Sequence, residues 1–161
     1  LALIMAGSLA PGAVIATTGP AKLKPIIACN LLREADLGGR SWRNDYDDVY
    51  GCSSPYKELG SGHPLANNLA YYVDGKAQSV SQLKLVLNVN VRAQAKSAHA
   101  ELLRAADLLT KKALGTSLPA SIRDALTAGK AASAKVAGAT VQVIRLDWPT
   151  GKGYEVKFII E

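Results

Sequence analysis

Alternation of apolar and polar residues is clearest in the middle of the chain, over residues 79–91. One face of this segment is apolar and the other polar, with Leu83, Leu85, Leu87, Val89 and Val91 against Lys84, Asn88 and Asn90. A period of two predicts a β-strand with one face in the core and one nearer water. Residues 67–73 before it are also rich in β-formers. Asp74-Gly75 predicts the hairpin turn between them, because both residues tolerate positive φ.

A second hairpin is predicted at the end of the chain. Residues 140–148 are rich in β-formers, and residues 149–153 form a turn sequence with one proline and two glycines. Residues 153–161 then alternate, with Tyr154, Val156, Phe158 and Ile160 on one face. The two hairpins together predict an antiparallel sheet.

Between the hairpins the apolar spacing changes to three and four residues. This pattern over residues 92–114 predicts an amphipathic helix. A second helix is predicted over residues 118–128, where Ser117 can cap it, Pro119 suits its first turn and Gly129 ends it.

The remaining segments are less regular. Two prolines in residues 17–28 predict an extended lead-in, and residues 29–37 predict a short helix that ends at a pair of glycines. Residues 40–66 are rich in Gly, Ser, Asp, Pro and Tyr, which predicts a loop with at most short strands. The alanine-rich residues 130–139 fit either a further helical turn or a loop.

These elements predict an α+β fold, with an antiparallel sheet of four to five strands (two hairpins) and two or three helices packed on one face. A single domain over residues 17–161 fits the length of the 161-residue chain. Small periplasmic accessory proteins, immunity proteins and secretion chaperones share this architecture. That likeness is one of fold alone and implies little about function.

The first sixteen residues carry no charge and are interrupted by two glycines and a proline. The run is too short and too broken to span a membrane as a helix. It is typical of the apolar part of a secretory signal, with small residues at Val14 and Ala16 where a signal peptidase cleaves. We therefore expect residues 1–16 to be the remnant of a signal segment. The alternative is a buried N-terminal strand or helix.

The chain has two cysteines, Cys29 and Cys52, which allow one intramolecular pairing. An exported protein meets an oxidising compartment where such a pair persists as a disulfide. Closing a loop of about twenty residues would stabilise the fold by roughly 3 kcal/mol. The alternative is a pair of buried free thiols. No Cys-x-x-Cys motif indicates redox chemistry.

Composition excludes little beyond disorder, since 48% of the residues are hydrophobic and 20% are charged. The net charge of +6 permits anionic partners, but the basic residues are spread along the chain. The polar face of the central strand has one lysine and no aromatic ladder, so we expect no nucleic-acid partner. We also expect no stable membrane insertion. Gly151-Lys152-Gly153 lies between strands rather than before a helix, so no phosphate site or other cofactor is predicted.

Residues that could carry chemistry are few. His63 lies in a glycine-rich loop, where it could act as a general base only if a carboxylate oriented it. Asp45, Asp47 and Asp48 form an acidic cluster without the spacing of a calcium loop, so we predict no metal site. His99 is expected to be a surface or boundary residue of its helix. No catalytic residue is predicted.

Six of the nine aromatic residues fall within residues 42–72. A loop-rich segment with Tyr, Trp and Arg has the composition of a recognition surface, although it could also simply cover an open end of the core. We predict a partner-binding patch made of Arg40, Trp42, Arg43, Tyr46 and Tyr50. The sequence thus favours a periplasmic, non-enzymatic binding protein that contacts another protein as an accessory, inhibitor or immunity-type factor. The alternatives are a small cell-wall-directed hydrolase using His63 with a nearby carboxylate, and a secretion chaperone with free cysteines.

Overall fold

The structure is a computed structural model that describes residues 19–161. Within this range the α-helices are α1 (Pro25–Cys29), α2 (Ala95–Leu114) and α3 (Ala120–Ala128). The strands are β1 (Arg43–Tyr46), β2 (Val49–Ser53), β3 (Lys57–Leu59), β4 (Asn67–Lys76), β5 (Ser79–Val89), β6 (Ala132–Val136), β7 (Ala139–Asp147) and β8 (Tyr154–Ile160). Short 3₁₀ turns at Pro20–Lys22, Arg33–Ala35 and Arg92–Gln94 complete the regular structure of the described chain.

All eight strands belong to one antiparallel sheet. Seven of them follow the order β1-β2-β4-β5-β8-β7-β6, and β3 pairs with β4 outside this order. β2 and β3 occupy successive stretches of the same edge of β4, opposite residues 72–75 and 67–69. The α+β class and the antiparallel sheet are therefore confirmed. The predicted count of four to five strands is wrong, because β1, β2, β3 and β6 add to the two hairpins expected from the sequence.

One face of the sheet, here called the inner face, forms the core with the helices. Its residues follow from the register, since Leu69 faces Leu87 and Leu85 faces Phe158 across neighbouring strands. The buried stripe of α2 packs on this face through Ala98, Leu102, Ala106, Leu109 and Ala113. Tyr71, fully buried on β4, donates a hydrogen bond from its hydroxyl to the carbonyl of Ala28 in α1 at 2.9 Å. The alternation thus correctly predicted the core-facing residues of β5 and β8. Val91 lies beyond the end of β5 and is only partly buried, whereas Val86 and Ile159 on the other face are also buried.

The predicted turn at Asp74-Gly75 is wrong, because β4 continues through both residues to Lys76. The chain reverses at residues 77 and 78 instead. The register slips between Asp74 and Gly75, and a side chain at Gly75 would collide with the carbonyl of Ser79. The glycine therefore allows close approach of two strands at a bulge, rather than a tight turn.

The first helix is also placed differently from the prediction of residues 29–37. It spans Pro25–Cys29, and Pro25 occupies its first position. The fixed φ of proline suits the first turn of a helix, where its missing N–H removes no bond. Proline here begins a helix, whereas the prediction treated it as part of an extended lead-in.

Residues 130–139, which fitted a helical turn or a loop, form β6 and the turn into β7. Ala137 and Gly138 take φ values of +49° and +85° at this turn. A turn with two positive φ angles matches the twist of a hairpin. The helix propensity of alanine is overridden because Ala132 and Ala134 pack beside Val143 and Val141 on the inner face.

Cys29 and Cys52 form a disulfide with Cα atoms 6.1 Å apart, which confirms the predicted pairing. It joins α1 to β2, and both cysteines belong to the core. A disulfide fits an oxidising extracellular compartment. The predicted signal segment, residues 1–16, lies outside the described residues. Among the helices described, none is long and apolar enough to cross a membrane.

Candidate partner-binding surface

The hairpin of β1 and β2 forms one edge of the sheet. β1 pairs with β2, and all four of its residues are exposed. Asp47 takes a positive φ of 45° in the connecting turn, a conformation that aspartate tolerates better than most residues. The sequence RNDY of β1 is polar and charged, which protects an exposed edge against unwanted strand pairing. The edge is therefore accessible to a partner through its side chains.

Three contacts anchor this hairpin to the body of the domain. The disulfide fixes Cys52 in β2, and the backbone N–H of Arg40 donates to the carbonyl of Ser53 at 3.0 Å. The indole Nε1 of Trp42 donates to the carbonyl of Ala77, at the tip of the β4–β5 hairpin, at 3.1 Å. These contacts thus hold the hairpin in one place on the domain.

The five residues of the predicted patch do not form a single flat surface. Trp42 packs against the core and stacks on Tyr50 on the inner side, with ring centroids 6.5 Å apart. Arg43 pairs with Gly51 and Tyr46 with Val49, which places both on the opposite side of the hairpin. Tyr46 is 64% exposed. The hairpin thus presents two sides, of which the Arg43 and Tyr46 side is the more accessible.

A shallow cleft of about 160 Å³ lies on the Arg43 side. Arg43 pairs with Asp45 at 3.4 Å, and the exposed side chain of Arg40 lines the same cleft. Asp74 and Tyr72 of β4 form the opposite wall, and neither belongs to the predicted patch. Burial, and after it a hydrogen bond with Tyr56, raises the pKa of Tyr72 to about 12, so its hydroxyl stays protonated. The cleft therefore offers positively charged donors from its arginines and negatively charged acceptors from its aspartates.

The acidic residues Asp45, Asp47 and Asp48 lie at and beside the tip of this hairpin. Asp48 accepts a hydrogen bond from Lys76 Nζ at 2.7 Å and raises the pKa of that ammonium. Asp45 is paired with Arg43 at 3.4 Å. Among residues 19–161, no group of three or more His, Cys, Asp or Glu side chains is arranged to hold a metal ion. The cluster therefore acts as part of a mixed-charge surface.

His63 lies far from these carboxylates. It is exposed in the loop before Asn67, the first residue of β4, whereas β2 beside the acidic turn pairs with the last residues of β4. The nine residues from Asn67 to Gly75 span roughly 26 Å of strand. His63 makes no ion pair with any carboxylate of the described chain. The structure therefore does not bring together the two halves of a catalytic pair.

His99 is not the surface or boundary residue that was expected, since it is only 4% exposed. Its Nδ1 lies 2.7 Å from the carbonyl of Leu126, so Nδ1 carries the proton in the neutral ring. Its Nε2 then accepts from the hydroxyl of Tyr154 at 2.9 Å. The guanidinium of Arg145 lies 3.7 Å from the centre of the Tyr154 ring. This network joins α2, α3 and β8, and its partners are too distant in sequence for spacing to indicate them.

Comparison with known proteins adds one result. Residues 21–145 match a family model described as "Family of unknown function (DUF6030)". No curated protein and no solved structure matches the chain. The matched range contains the disulfide, the β1–β2 hairpin and the cleft beside it.

Proposed function

We propose that this chain, which belongs to the family of unknown function DUF6030, is an exported, non-enzymatic binding protein. It contacts another protein through the β1–β2 hairpin. The observation that carries the proposal is an aromatic and charged edge hairpin held in place by a disulfide. In this role the protein acts as an accessory, inhibitor or immunity-type factor.

Anchoring favours binding because a surface that is already ordered loses little conformational entropy when a partner docks. Tyr46 supplies an exposed aromatic ring, and Arg43 supplies a charged donor beside it. Tyr and Arg are the residue types that most often dominate binding energy at protein interfaces. Trp42 has a supporting role, since its Nε1–H is already bonded to Ala77.

The same contacts bear on the compartment of the protein and on the two alternative functions. The disulfide supports a periplasmic or secreted location, and it argues against the secretion chaperone, for which free cysteines are expected. The separation of His63 from Asp45, Asp47 and Asp48 argues against the hydrolase. Binding through the hairpin requires neither a free thiol nor a catalytic pair.

Site-specific photo-cross-linking in the exporting cell tests the proposal. The photoreactive residue p-benzoylphenylalanine replaces Tyr46 in one variant and Tyr56 in a matched control, because both tyrosines are 64% exposed. We expect one defined protein adduct from position 46 and none from position 56. The captured protein is then purified and its affinity measured for the wild type and for Arg43→Ala/Tyr46→Ala. Loss of two interface anchors should weaken binding by about a hundredfold.

Two results would reject the proposal. One is the same set of adducts from positions 46 and 56, which would indicate unspecific contact. The other is unchanged affinity of the purified partner for the double variant, which would place its contact elsewhere on the domain.

A further inference from the structure

The outer face of the sheet, opposite the helices, carries a second depression that is independent of the hairpin. It has a volume of about 380 Å³ and lies at the end of the sheet where β4 begins and β5 ends. This volume falls within the range of small-molecule sites, roughly 300–1,000 Å³. The residues that line it are Tyr56, Glu58, Leu65, Ala66, Asn68, Asn88, Asn90 and Trp148.

Three asparagine amides form the floor. Asn88 Nδ2 donates to Asn68 Oδ1 at 3.0 Å, and Asn90 Nδ2 donates to the carbonyl of Ala66 at 2.8 Å. These bonds fix the orientation of the amides, and each of the two donors keeps a second N–H. No residue of the described chain bonds to Oδ1 of Asn88 or Asn90. The floor therefore offers amide N–H donors and Oδ1 acceptors that no other group of the described chain occupies.

Aromatic and apolar side chains form the walls. Trp148 is half-buried and its ring lies over Gly153, where a side chain would collide with it. Its Nε1–H donates to no described residue. Tyr56 and Leu65 are 64% and 61% exposed, respectively. The pocket thus combines flat ring faces with hydrogen-bonding amides.

The loop that carries Leu65 is held by side-chain amides that bond to backbone. Gln94 Nε2 donates to the carbonyl of Ser61 at 2.9 Å, and Gln94 Oε1 accepts from its N–H at 3.2 Å. Asn67, fully buried, bonds to both the N–H and the carbonyl of Val91. A Cβ at Gly62 would lie 2.6 Å from Val91 Cγ2, so glycine lets the loop pack closely. The wall is therefore pre-organised.

The chemistry of the lining selects the ligand. Amides both donate and accept, as hydroxyl groups do, and ring faces of Trp and Tyr pack against C–H surfaces. Glu58 is the one charged residue in the lining, and it makes no ion pair with a described cation. A carboxylate accepts hydrogen bonds from hydroxyls and repels anions. We propose that this pocket binds one ring of a neutral saccharide, with a C–H face on Trp148 and hydroxyls on Asn88, Asn90 and Glu58.

The two tryptophans of the chain, Trp42 and Trp148, allow a direct test in the wild-type protein. The ¹⁵N-labelled protein gives two indole N–H cross-peaks, which Trp148→Phe assigns. Cellotetraose, maltotetraose and chitotetraose are titrated separately, with trigalacturonic acid as an anionic probe. We expect at least one neutral oligosaccharide to shift the Trp148 indole and the Asn88 and Asn90 side-chain amides. The Trp42 indole and the anionic probe should show no response.

Variants locate the site independently of the spectra. Trp148→Ala and Tyr56→Ala should each weaken binding of the responding saccharide by about tenfold, which is the effect of losing one ring contact. Tyr46→Ala, which removes an equally exposed tyrosine on the β1–β2 hairpin, should leave the affinity unchanged. The proposal is overturned if no neutral probe shifts the Trp148 indole at tens of millimolar, or if Tyr46→Ala and Tyr56→Ala weaken binding equally. Because the pocket and the hairpin are probed by different variants, failure of one proposal leaves the other standing.

Discussion

At the scale of single residues, buried polar side chains connect elements that hydrophobic contact alone would leave free to slide. Tyr71 bonds to Ala28, His99 to Leu126 and Tyr154, and Asn67 to Val91. In the described chain no buried side-chain nitrogen or oxygen lacks a hydrogen-bond partner. Such bonds add modest net energy when complete, but breaking one side is costly because the remaining group stays buried.

Tyr154→Phe tests this asymmetry. The substitution keeps the ring under Arg145 but removes the hydroxyl that donates to His99 Nε2. A buried acceptor without a donor should lower the free energy of unfolding by about 1–3 kcal/mol. Urea denaturation followed by circular dichroism measures the change. Tyr46→Phe is the control, because its hydroxyl is exposed, and an equal loss in both variants would contradict the explanation.

Asp107 gives a prediction about pH. Its carboxylate lies 2.8 Å from Lys111 and 2.9 Å from Arg123, and the hydrogen bond from Lys111 is the main cause of its lowered pKa. A carboxyl with a lower pKa in the folded state stabilises the fold above its unfolded pKa of about 4. That stabilisation is lost as the pH falls through the folded pKa.

Asp107→Asn should therefore lower stability at pH 7 by about 1 kcal/mol, since the ion pairs are partly solvated. The difference from the wild type should shrink as the pH is lowered below about 4. Unfolding midpoints measured across pH 2–7 test this. Asp124→Asn on α3 is the control, because Asp124 is exposed and makes no ion pair in the described chain. A difference that stayed constant with pH would count against the carboxylate as its source.

At the scale of elements, β1, β2 and β3 are too short to be stable alone, with four, five and three residues. They depend on β4, since β2 and β3 pair along one of its edges and β1 pairs with β2. The central pairs of β4, β5 and β8 are longer and carry the apolar core residues. Local stability should therefore fall from the centre of the sheet toward the β1 edge.

Cys52→Ser tests this gradient. Loss of the disulfide should lower the stability of the fold by roughly 3 kcal/mol, because the loop from Cys29 is no longer closed. Amide hydrogen exchange should show lost protection in β1 and β2, while β5 and β8 remain protected. Ser53→Ala, next to the cysteine but half-buried, is the control. Uniform loss of protection across the sheet would mean that the bond stabilises the whole domain equally.

At the scale of the molecule, the helices cover the inner face of the sheet, and both proposed binding surfaces lie away from them. The hairpin surface is at the β1 edge, and the asparagine-floored pocket is on the outer face at the start of β4. Tyr72, which lines the cleft by the hairpin, interacts with Tyr56 in the wall of the pocket. The helices thus stabilise the sheet, while its edge and outer face remain accessible.

The proposed export of the protein makes a prediction at this scale. Mass spectrometry of protein purified from its native cells should show no free thiol, because Cys29 and Cys52 are bonded. The same spectrum should place the N-terminus after Ala16, where a signal peptidase would cleave. Protein unfolded and reduced with dithiothreitol, which should show two free thiols, is the control. Two free thiols in the native protein would contradict an oxidising compartment.

The sequence by itself determined those features that rest on local patterns. Alternation fixed the buried faces of β5 and β8, the spacing of α2 fixed its core stripe, and two cysteines allowed one bond. Tertiary structure alone decided the rest. Four strands, β1, β2, β3 and β6, form because a neighbouring strand supplies their hydrogen bonds. Their short polar or alanine-rich sequences carry no local pattern that would indicate which strand that neighbour is.

The same division holds for the binding surfaces. The sequence indicated an aromatic segment, but the structure divided Trp42 and Tyr50 from Arg43 and Tyr46, because side chains alternate across a strand. The pocket joins Tyr56, Asn88 and Trp148, which lie far apart in the chain and meet only when the five strands β3, β4, β5, β8 and β7 align. Contacts between distant residues depend on strand order and register, and these are set by the packing of the whole sheet.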